Sequence, residues 1–211
     1  MAKTLVIDTA TAACSVALIE DGAAVEARHE LVGRGHAERL LPMIAELPEG
    51  GRADRVLVDC GPGSFTGVRV GLAAALALGI GWNVAVAGYS STAAVAAASF
   101  VAHPDIQALA VVLEGGHGEV FMQPFVASPF AASAGLVSLT PERAAAAVGE
   151  LPIVGSGVRW MPDVPSKQQL GEALPRAGDV ILLPSMLIDL PPRPLYGRAP
   201  DANPMAGYRP A

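Results

Sequence analysis

The chain has 211 residues and a net charge of -6; 52% of the residues are hydrophobic, 16% charged and 5% aromatic, which suits one large or two small globular units built on Ala, Val, Leu and Ile. The acidic balance argues against an independent grip on nucleic acid, because phosphate contacts need clustered Lys and Arg. Two cysteines, Cys14 and Cys60, cannot form a disulfide framework, and the opening MAKTLVID lacks the features of a signal peptide, so a cytoplasmic protein is expected.

TLVID (4–8), the turn TATAA, CSVALIE (14–20), the turn Asp21-Gly22 and AAVEARHEL (23–31) predict three consecutive antiparallel strands. GHAERLLPMIAEL (35–47) has Leu40, Met43, Ile44 and Leu47 at helical spacing, with Pro42 falling early or kinking the helix. RVLVD (55–59) reads as a buried strand, and DCGPGSFTGVRVG (59–71) leads from it into a helix over about 66–80. NVAVAG (83–88) is another strand and SSTAAVAAASFVA (90–102) another helix. The apolar stretch 67–88 approaches the length of a membrane span. Arg69, Gly79, Gly81 and Asn83 interrupt it, so it reads as helix, turn and strand, with no membrane contact expected.

A second unit begins near residue 105. ALAVVLEGGHGEVFMQPF (108–125) repeats the strand–turn–strand opening, GLVSL (135–139) supplies a third strand, and LTPERAAAAVGE (139–150) a helix with Thr140 as N-cap, Pro141 at its first position and Glu142 in its first turn. LPIVGSG (151–157) reads as a strand. The text to residue 180 is rich in Pro, Gly and polar residues, and the tail over 191–210 reads as extended and peripheral. The order βββαβαβα is that of ribonuclease H-like units. The expected fold is therefore α/β and actin-like, with lobes at 1–104 and 105–211 and the second degenerate.

Candidate chemistry is sparse. Asp8 ends a strand and is followed by Thr9, Thr11 and Ser15, a pattern by which actin-like ATPases approach Mg²⁺ and phosphates; alternatively Asp8 and Thr9 only organise the turn. The glycine loop lacks the Lys of a P-loop, having Val68 and Arg69 instead, and Pro62 stands where a serine-hydrolase elbow needs Gly. His29, His36, His103 and His117 show no metal-binding spacing. His36 reads as a surface or capping residue and His117 as a turn residue. The most informative feature is a stripe of Gly67, Gly71, Ala75 and Gly79. Gly costs about 1 kcal/mol relative to Ala inside a helix, so the stripe implies close approach of another backbone, which can belong to this chain or to another; physics alone leaves both open.

IDTATAACSVAL (7–18), HAERLLPMI (36–44), GPGSFTGVRVGL (61–72), HGEVF (117–121) and PLYGRAPDA (194–202) together resemble the TsaB (YeaZ) family. The resemblance is dense in the first half and patchy later. It implies a tandem actin-like fold without catalysis, metal or cofactor of its own, pairing through first-lobe helices with the homologous TsaD, which transfers a threonylcarbamoyl group to tRNA beside the anticodon. A TsaE-like ATPase would join, tRNA would be met only through the complex, and the chain could form a homodimer when alone. The implied partner face is His36, Leu40, Met43, Ile44, Leu47, Gly67, Val70, Gly71, Ala74, Ala75 and Leu78; Asp8, Thr9 and Thr11 would be a degenerate phosphate hairpin. TsaD-like proteins carry H-x-x-x-H on the helix where this chain reads YSSTAAVAAA, so the older M22 peptidase classification is not carried over as an activity. The family's D-A-R-x-G-E-V-Y is EGGHGEVF (114–121) here, a departure in its polar residues. The alternative function is an actin-like ATPase or small-molecule kinase using Asp8 with magnesium.

Overall fold

The structure is a computed structural model and describes residues 2–197. Strands β1 (Lys3–Asp8), β2 (Ala13–Glu20) and β3 (Ala23–Leu31) form an antiparallel meander, followed by helix α1 (His36–Ala45). Strand β4 (Arg55–Asp59), helix α2 (Phe65–Trp82), strand β5 (Ala85–Tyr89) and helix α3 (Ser91–Ala102) complete the first half. The sheet order is β3-β2-β1-β4-β5, with β1, β4 and β5 parallel.

In the second half β6 (Ala108–Gly116) and β7 (Glu119–Val126) form a hairpin whose tip residue His117 has a positive φ between two glycines. Short β8 (Ala131–Ala132) and β9 (Val137–Leu139) both pair with β7, and helix α4 (Pro141–Val148) follows. Strands β10 (Ile153–Val154) and β11 (Gln169–Gly171) give the order β11-β10-β6-β7-β8. The strand expected over 151–157 is thus only two residues long, and β8 and β11 are additions to the expected set. Thr140 holds the N-cap position without a side-chain capping bond. Of the tail, residues 191–197 are described; the rest of the stretch to 210 lies outside the described residues.

Period-two alternation sorts the strands into layers. Leu5, Ile7, Val16, Leu18, Val56 and Val58 pack under α1 and α2, whereas Val6, Ala17 and Leu57 point the other way, onto α3. Leu109, Val111 and Leu113 of β6 pack on α3 in that same cluster, and Ala110 and Val112 meet α4. The stack is therefore helices, sheet, α3, sheet, helix. Residues after β11 return to the first sheet: the 3₁₀ segment Ala177–Leu182 packs on β1, β2 and β3, and Leu190 bridges to Gly88 at the β5 edge.

Candidate functional site

Asp8 and Asp59 end adjacent parallel strands, the position where open α/β sheets place ligand chemistry. Here both are sealed. Asp8 is 0% exposed and Thr9 and Asp59 are 1% exposed. The two carboxyls hydrogen-bond to each other, Tyr89 Oη donates to Asp8 Oδ2 (3.1 Å), Ser91 Oγ to Asp59 Oδ2 (2.6 Å) and the Gly61 amide to Asp59 Oδ1 (2.7 Å). Burial first, and the Asp59 charge second, hold the Asp8 carboxyl well above the usual carboxylate range; burial raises Asp59 as well. Two like charges this close in a dry site cannot both ionise, so the pair retains a proton. Asp8, read from the sequence either as a metal-approaching carboxylate or as an organiser of the turn, is buried inside the sheet.

The glycine loop closes the same region from above. The Ser64 amide donates to the Ala10 carbonyl (2.6 Å), and a Cβ at Gly63 would overlap that carbonyl oxygen. Thr9 Oγ1 donates to the Gly67 carbonyl (2.7 Å), and side chains at Gly67 and Gly71 would collide with Thr9. The β1–β2 turn and the loop therefore touch backbone to backbone, where a phosphate hairpin would need a gap. Ser64 caps α2 by accepting from the Gly67 amide (3.2 Å). Of Asp8, Thr9 and Thr11, Thr11 alone borders the cleft of about 1730 Å³ between the two halves of the molecule. Among the described residues no three His, Cys, Asp or Glu side chains converge as a metal site.

Of the two alternatives left open for the small-residue stripe, the close neighbour is this chain's own backbone and sheet. Gly67, Gly71, Ala75 and Gly79 face this chain's own sheet; Gly79 abuts Val86 of β5, and Ala75 is fully buried. Leu40, Met43, Ile44 and Leu47 are core residues beneath α1. His36 is buried rather than superficial, its Nε2 lying 2.8 Å from the Thr11 carbonyl and 3.2 Å from that of Ala13, which ties the start of α1 to the β1–β2 turn. Val70, Ala74 and Leu78 are half-buried at the margin of the helix contact.

What the helices present outward is a different row. On α2 it runs through Phe65, Arg69, Ala73, Leu76, Ala77 and Ile80, with Ile80 84% exposed; on α1 it includes Ala37, Leu41 and Ala45, with Leu41 55% exposed. α2 is long and apolar enough to cross a membrane by length and composition, yet its glycine row is covered by β1, β4 and β5. An apolar helix buried on one side and bare on the other defines an unpartnered face. Sequence reasoning found the helix and its close approach and left the neighbour open; the face implied by the resemblance includes the stripe, whereas the exposed row lies on the other side of the helix. The signal that could have found the outer row is Leu76 and Ile80, the bulky residues interleaved with the small ones.

Fold and site define a class: a tandem ribonuclease H-like, actin-like protein whose β1–β2 turn packs directly on its own glycine loop. Comparison with known proteins places the chain more narrowly. It is 31% identical over 192 residues to "tRNA threonylcarbamoyladenosine biosynthesis protein TsaB" of Escherichia coli strain K12, covering 85% of this chain and 81% of the relative. It is 44% identical over 106 residues to the Haemophilus influenzae protein of that name, covering 47% and 44%. The profile of the family described as "TsaD: tRNA N6-adenosine threonylcarbamoyltransferase" matches residues 28–127. The solved structure "YeaZ from Pseudomonas aeruginosa" is similar with a TM-score of 0.76 at 28% identity, over 93% of this chain and all of that one. The chain belongs to the TsaB (YeaZ) family.

Proposed function

We propose that the chain is a non-catalytic subunit that pairs with a TsaD-like protein and supports threonylcarbamoyladenosine formation on tRNA. The observation that carries this is the bare outer row of α1 and α2, beside a phosphate hairpin that has no room for a ligand. The name of the Escherichia coli relative supplies the process. The match of residues 28–127 to the TsaD family supplies the kind of partner, because homologous lobes present similar faces that pair about a pseudo-two-fold axis. A TsaE-like ATPase completes the assembly, tRNA is reached only through it, the setting is the cytoplasm, and self-pairing of the same face accounts for a homodimer when the chain is alone.

The test is co-purification with the TsaD-like protein of the same cell. Ile80→Asp and Leu76→Glu place charge on the outer row and are expected to abolish the complex while each monomer melts within about 2 °C of the parent, since exposed substitutions change stability little. An intact complex with both variants would overturn the pairing. No observation favours the ATPase or kinase reading: with Asp8 fully buried, Asp8→Asn is expected to leave the assembled complex active.

A further inference from the structure

At the amino-terminal end of the outer row on α2 lies a cluster that the apolar character of the rest does not explain. The Arg69 guanidinium carbon sits 3.4 Å from the centre of the Phe65 ring, Nη1 donates to the Phe65 carbonyl (3.0 Å) and Nη2 donates to Tyr196 Oη (2.9 Å). Tyr196 is delivered by the carboxy-terminal stretch, whose Leu195 amide donates to the Cys60 carbonyl (2.8 Å) at the base of the glycine loop. Phe65 is 70% exposed and Tyr196 65% exposed. No carboxylate among the described residues lies within ion-pair distance of Arg69, although the chain carries 20 Asp and Glu against 14 Lys and Arg.

The donor count is the key. A guanidinium has five N–H groups, and these contacts occupy two. Because Tyr196 Oη accepts from Arg69, its own O–H remains a donor. The ring of Phe65 and the two hydrogen bonds fix the plane of the guanidinium before anything binds, so little side-chain entropy is left to lose. A preset fork with an added hydroxyl, walled by two aromatic rings, matches a carboxylate bound in bidentate fashion.

We infer that Phe65, Arg69 and Tyr196 form a preassembled anchor for an acidic side chain of the TsaD-like partner, one that favours this partner over a second copy of the chain. This rests on the pairing proposed above. Helix α2 has no Asp or Glu between Phe65 and Trp82, and Glu38 is the only acidic residue of α1. In a two-fold self-pairing every contact occurs twice, so a copy that does not bring Glu38 opposite Arg69 buries two guanidinium groups without counter-charge. A partner with a carboxylate at that point avoids this loss.

The experiment is titration calorimetry of the full chain with the TsaD-like protein at low and high salt, alongside sedimentation of the chain alone. Arg69→Met is expected to weaken the heteromeric complex at least about tenfold and to flatten its salt dependence. Arg69→Lys, a point charge without the fork, should fall between Met and parent, and Tyr196→Phe should lose a few-fold. Ile80→Asp serves as the control for the face itself. Parent-like affinity for Arg69→Met while Ile80→Asp fails to bind overturns the anchor and leaves the pairing standing; parent-like affinity for all of them overturns both. If Arg69→Met and Glu38→Gln instead weaken self-association, the occupant is a second copy and the proposal falls. It falls equally if the chain alone shifts tRNA in a gel and Arg69→Met abolishes that shift.

Discussion

At Gly71 the space for a side chain is already taken by Thr9 Oγ1, with Val58 and Ile7 methyls 3.5 and 3.6 Å from where a Cβ would stand. Gly71→Leu is therefore expected to destabilise the monomer by several kcal/mol, beyond the usual 1–3 kcal/mol (roughly) of an overpacked core, read as loss of the cooperative thermal transition. Asp8 allows a gentler perturbation. Its carboxyl is raised in the folded chain, by burial and then by Asp59, so the proton is kept on folding and released on unfolding once the pH exceeds the ordinary aspartate value. The stability this pair contributes is complete at acid pH and is lost as the pH rises through the folded-state value. Asp8→Asn retains the shape and makes the donor permanent. Its melting temperature should match or exceed the parent's at pH 8 and vary less with pH, whereas Asp8→Ala, which leaves Asp59 and Tyr89 without their partner, should melt well below both. The pair was legible in outline, since VID and LVD each end an apolar run with Asp. What composition does not convey is that the two strands are parallel neighbours, which turns two separate turn residues into one buried site.

Among the elements, the first five strands and three helices could be read because each has a bounded apolar run with turn residues on both sides. The second half was harder: β8 and β10 are two residues long and exist through pairing register, which no local pattern encodes. For α2 the difficulty was of another kind. Its inward side joins Val68 and Leu72 to the glycine row, and its outward row joins Phe65, Leu76 and Ile80 to Ala73 and Ala77, so both sides are largely apolar and periodicity gives an axis without a direction. Helix α1 carries its own compromise in Pro42, inside the helix and exposed. Pro42→Ala restores a backbone donor toward Glu38 and relieves the ring, and is expected to stabilise the chain by about 1 kcal/mol or more, measured by urea denaturation.

Across the whole molecule, the carboxy-terminal stretch ties the halves together. Leu190 pairs with Gly88 in both directions (2.7 and 3.1 Å), Arg55 bonds the Ile188 carbonyl (2.5 Å) and Asp189 (3.1 Å), and the Pro191 carbonyl lies 3.8 Å from Cys60 Sγ. This covers the open edge of β5, a site otherwise prone to strand addition. Truncation after residue 187 should therefore expose Cys60, which is 0% accessible in the intact chain, to a thiol reagent and promote aggregation on warming. Continued resistance of Cys60 in the truncated chain would show that the edge is shielded by other means.

Eight of the twelve residues of α3 are buried, held between one sheet and the other. Both sheets grip this middle layer, and within the first half the Ser64 amide fastens the glycine loop to the Ala10 carbonyl of the β1–β2 turn. The molecule is in consequence a stiff bracket.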